Sequence, residues 1–214
     1  MKTTTACAIG LATYVAGLVV GYQGVARRWC LNWGATSDEV ARTMPGDELL
    51  TEPDIVATRA ITIGAEPERV WPWLVQLGPG RGGAYTYDWI ENLLGLDMHS
   101  ANTVLPEFQG LSVGDGFALG AKGPHMRVAV LDPERTLVFA SDDGHWVWAF
   151  GLYAGTNGVR LVSRNRIATS DAAVPTLLFN RLIMEPGSWV MERKMLLGIK
   201  ERAEGLEKFS AMSR

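Results

Sequence analysis

Cysteine is nearly absent from this chain. Only Cys7 and Cys30 occur, in or beside the N-terminal apolar segment, so the remainder has neither a disulfide framework nor a thiolate metal cage. Histidine is as scarce: His99, His125 and His145 are scattered, with no H-E-x-x-H and no i, i+4 pair, so no metal is expected. Charge of one sign is missing too. The formal net charge is -3 and the sequence pI is about 5.7, without a basic stripe, so no nucleic-acid partner held through phosphate neutralisation is expected. No nucleophile-base-acid triad, no glycosidase-type carboxylate pair and no Walker lysine can be read from the residues.

What is present is a chain of 214 residues, 47% hydrophobic and 20% charged, the profile of one principal globular domain. One stretch invites a cofactor reading. In GPGRGG, residues 78–83, Gly78, Gly80 and Gly83 have the G-x-G-x-x-G spacing of dinucleotide-binding turns. That turn needs a strand before it and a helix after it, whereas Glu66–Leu77 reads as a helix: Pro67 and two early acids mark its start. The glycines are therefore expected to reverse the chain between two helices, with Arg81 the one residue there placed to meet an anionic ligand. No cofactor is expected.

Residues 1–26 carry the uncharged run ACAIGLATYVAGLVVGY, Ala6 to Tyr22, between Lys2 and the pair Arg27-Arg28. As a helix this run spans about 26 Å, close to a ~30 Å hydrocarbon core. It reads as a single membrane anchor; the alternative is a cleaved signal peptide with its small-x-small site at Gly24-Val25-Ala26. Arg27 and Arg28 place the following domain on the cytoplasmic side of the cell membrane. Gly17 and Gly21, with Ala8, Ala12 and Ala16, permit close helix packing but leave the oligomeric state open. Residues 27–54 read as a juxtamembrane linker. Trp29 and Trp33 suit the headgroup level or pack on the domain, Ser37-Asp38-Glu39 opens a short helix, and a turn falls at Pro45-Gly46.

The main domain, 55–214, begins with a strand over Ile55–Ala65, then helices over Glu66–Leu77 and Tyr87–Leu96. Strand candidates follow at Asp115–Leu119, His125–Leu131, Thr136–Ser141, His145–Tyr153 and Val159–Ala168, joined by turn residues such as Asp142-Asp143-Gly144 and Thr156-Asn157-Gly158. A long helix closes the chain from Val174 to Phe209, interrupted at Pro186-Gly187. The order predicts an α+β fold with an antiparallel sheet.

The segments TRAITIGAEPERVWPWLVQLGPGRGGAYTYDWIENLLGL, LSVGDGFAL, WVWAFGLYA, GVRLVSRNRI and EPGSWVMERKMLLGIKERAE together resemble the SRPBCC superfamily. These are the START-like, helix-grip proteins that include polyketide cyclases and lipid-transfer domains, and the likeness is strongest to bacterial members with an N-terminal apolar segment. It covers most of Ile55–Leu206. The resemblance implies a curved antiparallel sheet of about six strands wrapped around a long C-terminal helix, with two short helices after the first strand and a large apolar cavity. It does not imply one reaction, because this fold hosts carriers, receptors and enzymes.

With that fold, Trp146, Trp148 and Phe150 on one face of their strand would line the cavity, joined by Trp89 from the second helix and Met184, Trp189, Met191 and Met195 from the last. An ordinary packed core is the alternative. Arg160, Arg164 and Arg166 share one strand face, either solvated or with Arg164 turned into the cavity mouth to bind a carboxylate or phosphate. Glu185 reads as a helix-start carboxylate, or as a proton acceptor if desolvated. The leading expectation is a membrane-anchored, non-catalytic binding protein for a hydrophobic small molecule or lipid. The alternatives are a polyketide cyclase, dehydratase or hydrolase-like enzyme using Tyr85, His125 or Arg164 as acid-base groups, and a juxtamembrane protein-interaction module.

Overall fold

The computed structural model describes residue 17 and residues 21–121, 123–155, 157–169 and 180–212, with backbone alone at 23, 25, 180 and 206–212. The membrane anchor expected over Ala6–Tyr22 lies outside the described residues, save for positions 17, 21 and 22. Among the described residues no helix is long and apolar enough to cross a membrane.

Six strands form one antiparallel sheet in the order β1-β6-β5-β4-β3-β2. They are β1 (Ile55–Ile63), β2 (Gly116–Ala118), β3 (His125–Asp132), β4 (Thr136–Ser141), β5 (Trp146–Gly155) and β6 (Gly158–Ile167). β2 to β6 run as a meander because each junction carries a turn-forming cluster, and β1 pairs back onto β6 from Ile55 opposite Ile167 to Ile63 opposite Val159. Strand alternation then sorts the side chains: Ala57, Arg59, Ile61 and Ile63 face one way and Thr58 and Ala60 the other.

The inner face is covered by the terminal helix and by α3 (Pro67–Val75). Pro67 occupies the first turn of α3, where no donor is lost, and the helix buries Val70, Trp73 and Leu74. A π-helical turn at Asn180–Met184 leads into the terminal helix α5 (Glu185–Met212), whose stripe of Met195, Leu196, Ile199 and Ala203 closes the main core. Of the kink or restart expected at Glu185–Trp189, the structure has the restart: the π-helical turn ends at Met184 and the α-helix begins at Glu185.

The outer face of the sheet holds a second core, and the supposed linker builds it. Two short helices, α1 (Arg27–Leu31) and α2 (Ser37–Ala41), precede a 3-10 turn at Asp47–Leu49. Thr36 caps α2, accepting from the Glu39 N–H while the Glu39 side chain accepts from the Thr36 N–H. Met44 then packs fully buried among Ala60, Val138, Val147, Ala149 and Val162, a contribution of about 2 kcal/mol. Residues 27–54 are thus part of the packed structure rather than a free linker.

The second helix expected from the sequence shortens to α4 (Asp88–Leu93) and faces the other way from expectation. The Asp88 carboxylate accepts from the Ser100 N–H and hydroxyl, and Asn92 exchanges two hydrogen bonds with Met98. These polar ties turn that side of α4 inward, so Trp89 and Leu93 are left exposed.

Candidate functional site

A cavity of about 420 Å³ lies between the inner face of β1, β5 and β6 and the first turns of α5. Its walls include Trp146, Trp148, Met191 and Met195, with Leu31 of α1 at one end. The tryptophans project from alternate positions of β5 and stack with ring centroids 6.0 Å apart. Exposed Asp143, His145 and Met184 mark where the cavity reaches the surface.

A buried polar network crosses this apolar wall. Arg59 of β1 forms an ion pair with Glu192 of α5, and donates through Nε to the Cys30 carbonyl at 3.0 Å and through Nη2 to Ser188 Oγ at 3.3 Å. The Ser163 hydroxyl donates to Glu192 Oε1 at 2.5 Å, and the Asn165 amide to both carboxylate oxygens at 3.1 Å. The indoles complete it: Trp148 Nε1 donates to Ser163 Oγ at 3.1 Å and Trp146 Nε1 to Asn165 Oδ1 at 2.8 Å. Both Glu192 oxygens and both indole N–H groups are therefore engaged. The pair is neutral as a unit, so the cavity meets aromatic faces rather than a free charge.

A different polar group on the cavity wall is not engaged. Glu91 of α4 and Thr86 just before it both line the cavity, yet Glu91 Oε2 and Thr86 Oγ1 are shut off from water with no hydrogen-bond partner. Burial pushes the Glu91 carboxyl above its ordinary value, opposed by the nearby Thr86 hydroxyl and reinforced by the charge on Asp88.

Of the residues expected to touch a ligand, Trp146, Trp148, Met184, Met191 and Met195 are in the cavity wall and three are not. Phe150 lies wholly within the core, packed 4.9 Å from Trp148. Trp189 packs instead against Trp29, ring centroids 5.0 Å apart and planes tilted by 54°. Trp89 is 69% exposed on the outer side of α4.

The three acid-base candidates are structural or superficial. Arg164 projects from the outer face of β6, away from the cavity, where alternation puts it. It is buried there, donating to Thr58 Oγ1, to Asp47 Oδ2 and to the Glu39, Val40 and Arg42 carbonyls at 2.7–3.1 Å. A cation at the end of α2 meets carbonyls that have no helical partner. Arg160 and Arg166 hold the same segment through Glu39 and the Leu50 carbonyl, so the arginine face is neither solvated nor a ligand site. Tyr85 is buried behind the cavity at φ 57°, its hydroxyl donating to the Trp73 carbonyl at 3.0 Å and its ring edge-on to Trp73. Burial raises its pKa far beyond the working range of a base. Gly198 of α5 admits this close approach: a Cβ there would stand 2.7 Å from the Tyr85 carbonyl oxygen. His125 is a surface residue beside Asp142, 3.3 Å away.

The glycine loop is a chain reversal, as its flanks predict. Gly78 and Gly83 form an antiparallel bridge, and Gly78, Gly80 and Gly83 all have positive φ. Arg81 turns inward, donating to the Val75 carbonyl at 3.0 Å and lying over the Phe108 ring, so it meets backbone rather than an anion. Glu185 is buried at the start of α5, gripped by Arg27 at 2.7 and 3.0 Å.

Arg59, Glu192 and Glu91 were not among the residues singled out from the sequence. The first two carried a signal. Arg59 is the lone charge on an otherwise apolar strand face, and Glu192 stands three and four residues before Met195 and Leu196 on the buried stripe of α5. Charges at such positions imply a buried partner.

No protein-family model matches this chain, and no curated protein matches it. Solved structures resemble it at low identity. The KanY protein is 15% identical with a TM-score of 0.48, over 72% of this chain and 99% of that one. The AHSA1-like protein from Aeromonas hydrophila is 18% identical with a TM-score of 0.40, over 72% of this chain and 94% of that one. A polyketide-cyclase-like protein from Corynebacterium glutamicum is 15% identical with a TM-score of 0.36, over 74% and 92%. The six-stranded antiparallel sheet and long C-terminal helix fit the helix-grip fold expected from the sequence, and what the cavity takes is a matter for its own residues.

Proposed function

We propose that this chain binds a hydrophobic small molecule or lipid in the cavity and performs no chemistry on it. The observation that carries this reading is the cavity itself: about 420 Å³, within the range of ligand pockets, walled by tryptophan and methionine, its buried ion pair already saturated. The three acid-base candidates drawn from the sequence, Tyr85, His125 and Arg164, lie outside the cavity wall. Residues 1–26 would hold this carrier at a membrane, as their uncharged run suggests.

Titration with the neutral fluorophore N-phenyl-1-naphthylamine, read by quenching of tryptophan emission, tests the reading. One site per chain is expected, lost when Ala57→Phe fills the cavity from β1. Binding that is unaffected by the filling substitution, or no binding, refutes it. The anchor is tested separately by carbonate extraction of membranes containing the full chain.

A second reading, docking of a protein partner, is favoured by the exposed Trp89 and Leu93 on α4 and Leu94 just after it. Their replacement by serine should leave fluorophore binding intact and abolish only such docking.

A further inference from the structure

Resting on the binding and anchoring readings, we infer that the cavity rim at the start of α5 is seated on a phospholipid bilayer, so that the mouth opens to lipid rather than to water. Trp29, Ile183, Met184 and Val190 enter the interface, and Arg28 and Arg181 meet lipid phosphates.

A clamp fixes where the rim stands relative to the apolar run. The uncharged run ends at Tyr22, which opens a π-helical turn, Tyr22–Ala26, that continues directly into α1. The Tyr22 hydroxyl donates to Glu185 Oε2 at 3.3 Å, and Arg27 donates to both oxygens of the same carboxylate at 2.7 and 3.0 Å. Glu185 is the first residue of α5 and, like Met184 and Ser188 beside it, lines the cavity. The last residue of the run therefore touches the cavity rim. A run that crosses a hydrocarbon core ends at the headgroup level, where tyrosine is favoured, and the clamp holds the rim at that level too.

The surface at this place suits lipid. Trp29, Ile183 and Met184 are each more than half exposed, and Val190 farther along α5 is exposed as well. Trp29 packs against Trp189, the neighbour of Val190, so the exposed apolar residues of α1 and α5 adjoin. Clustered apolar side chains in water mark a surface that something covers, and the run that ends within hydrogen-bond distance of them identifies the cover as a bilayer. Arg28 and Arg181 are exposed and, among the described residues, paired with no acid. Guanidinium groups so placed match lipid phosphates. The opposite rim differs: Asp143 and His145 are exposed and polar, which leaves the α5 side of the mouth as the one that meets lipid. A mouth seated there opens to the phase in which an apolar ligand is dissolved.

Spin labels read the depth. In a Cys7→Ala background, whose remaining Cys30 is buried and escapes labelling, a nitroxide is attached through Ile183→Cys, Val190→Cys or Arg135→Cys. Arg135 is exposed in the turn before β4, at the other end of that strand from Asp143. Each full chain is reconstituted into vesicles of equal parts phosphatidylcholine and phosphatidylglycerol. Relaxation by oxygen, which concentrates in lipid, is then compared with relaxation by a water-soluble nickel chelate. The oxygen-to-nickel ratio at positions 183 and 190 should be several-fold higher than at position 135. Equal ratios at all three positions, or a higher ratio at 135, in chains that resist carbonate extraction overturn the inference and leave the anchor and the cavity readings standing. Chains released by carbonate sink the anchoring reading and this inference with it, while the fluorophore titration on the same preparation still reports on the cavity. Should one of the two α5 variants not fold, the other gives the same comparison.

Discussion

Arg59 on β1 and Glu192 on α5 stand 133 residues apart in the chain and meet as a buried ion pair in the cavity wall. The pair ties the terminal helix to an edge strand of the sheet within the cavity wall. Its partners Ser163, Asn165 and Ser188 spread the two charges over five side chains.

Removing one partner should therefore cost far more than removing both. Glu192→Gln leaves the Arg59 guanidinium buried without a counter-charge and is expected to lower stability by about 3 kcal/mol, whereas Arg59→Met with Glu192→Leu should return to within about 1 kcal/mol of the starting protein. Urea unfolding of the unaltered protein, each single variant and the double variant measures this. Additive losses would mean that the two residues act independently.

Arg164→Ala is expected to destabilise the protein by about 3 kcal/mol, since three carbonyls and Asp47 lose a buried cation. Fluorophore affinity at a temperature where the variant is folded should not change. Intact stability with weakened binding of carboxylate ligands would restore the reading of Arg164 as a cavity-mouth residue.

For Tyr85→Phe the expected loss is about 1 kcal/mol, the value of the hydrogen bond to the Trp73 carbonyl, again without effect on ligand binding. Thermal unfolding and the same titration check both halves.

Glu91 should make stability fall as the solution becomes less acidic. Its folded pKa is raised above the ordinary 4.5, so below that value both folded and unfolded chains are protonated and its contribution is complete. As pH rises past 4.5 the unfolded chain ionises first, and stability is lost until the folded carboxyl also ionises. Glu91→Gln should unfold at a higher temperature than the unaltered protein at pH 7 and show a smaller difference at pH 4. A Glu39→Gln variant should show the opposite sign. Burial acts to raise the Glu39 carboxyl, but Arg160 and the Thr36 N–H outweigh it and hold its pKa down, so its stabilisation is lost as pH falls. Unfolding temperatures from pH 4 to 7 that run parallel for all three proteins would contradict both assignments.

The strands were legible because their alternation is local: Trp146 and Trp148 fall on one face and Arg160, Arg164 and Arg166 on one face whatever the sheet does next. Which face was inner was not legible for the arginines. Both sides of β6 are buried, one by α5 and one by residues 30–50, so the usual inference that an arginine-bearing face is solvated had no solvent to refer to. Leu31 reached the cavity wall from a segment that composition marked as a linker because α1 packs on the inner side, beside α5 and the Arg59 side chain that donates to the Cys30 carbonyl. Trp89 was assigned inward on hydrophobicity, but Asp88 and Asn92 found backbone partners on residues 98–100, and those bonds set the rotation of α4.

The sequence by itself determined the order of elements, the antiparallel sheet with its closing helix, and the chain reversal at Gly78–Gly83, because turn chemistry, strand period and helix starts are properties of neighbouring residues. Tertiary structure alone decided which polar side chains were already satisfied and which were not. Arg164 is spent on carbonyls, Glu192 on Arg59, Ser163 and Asn165, and Glu91 Oε2 on nothing, and no pattern along the chain contains that distinction. A hydrogen-bond partner is supplied by whatever the fold brings within about 3 Å, and here it is brought from more than a hundred residues away for Arg164 and Arg59.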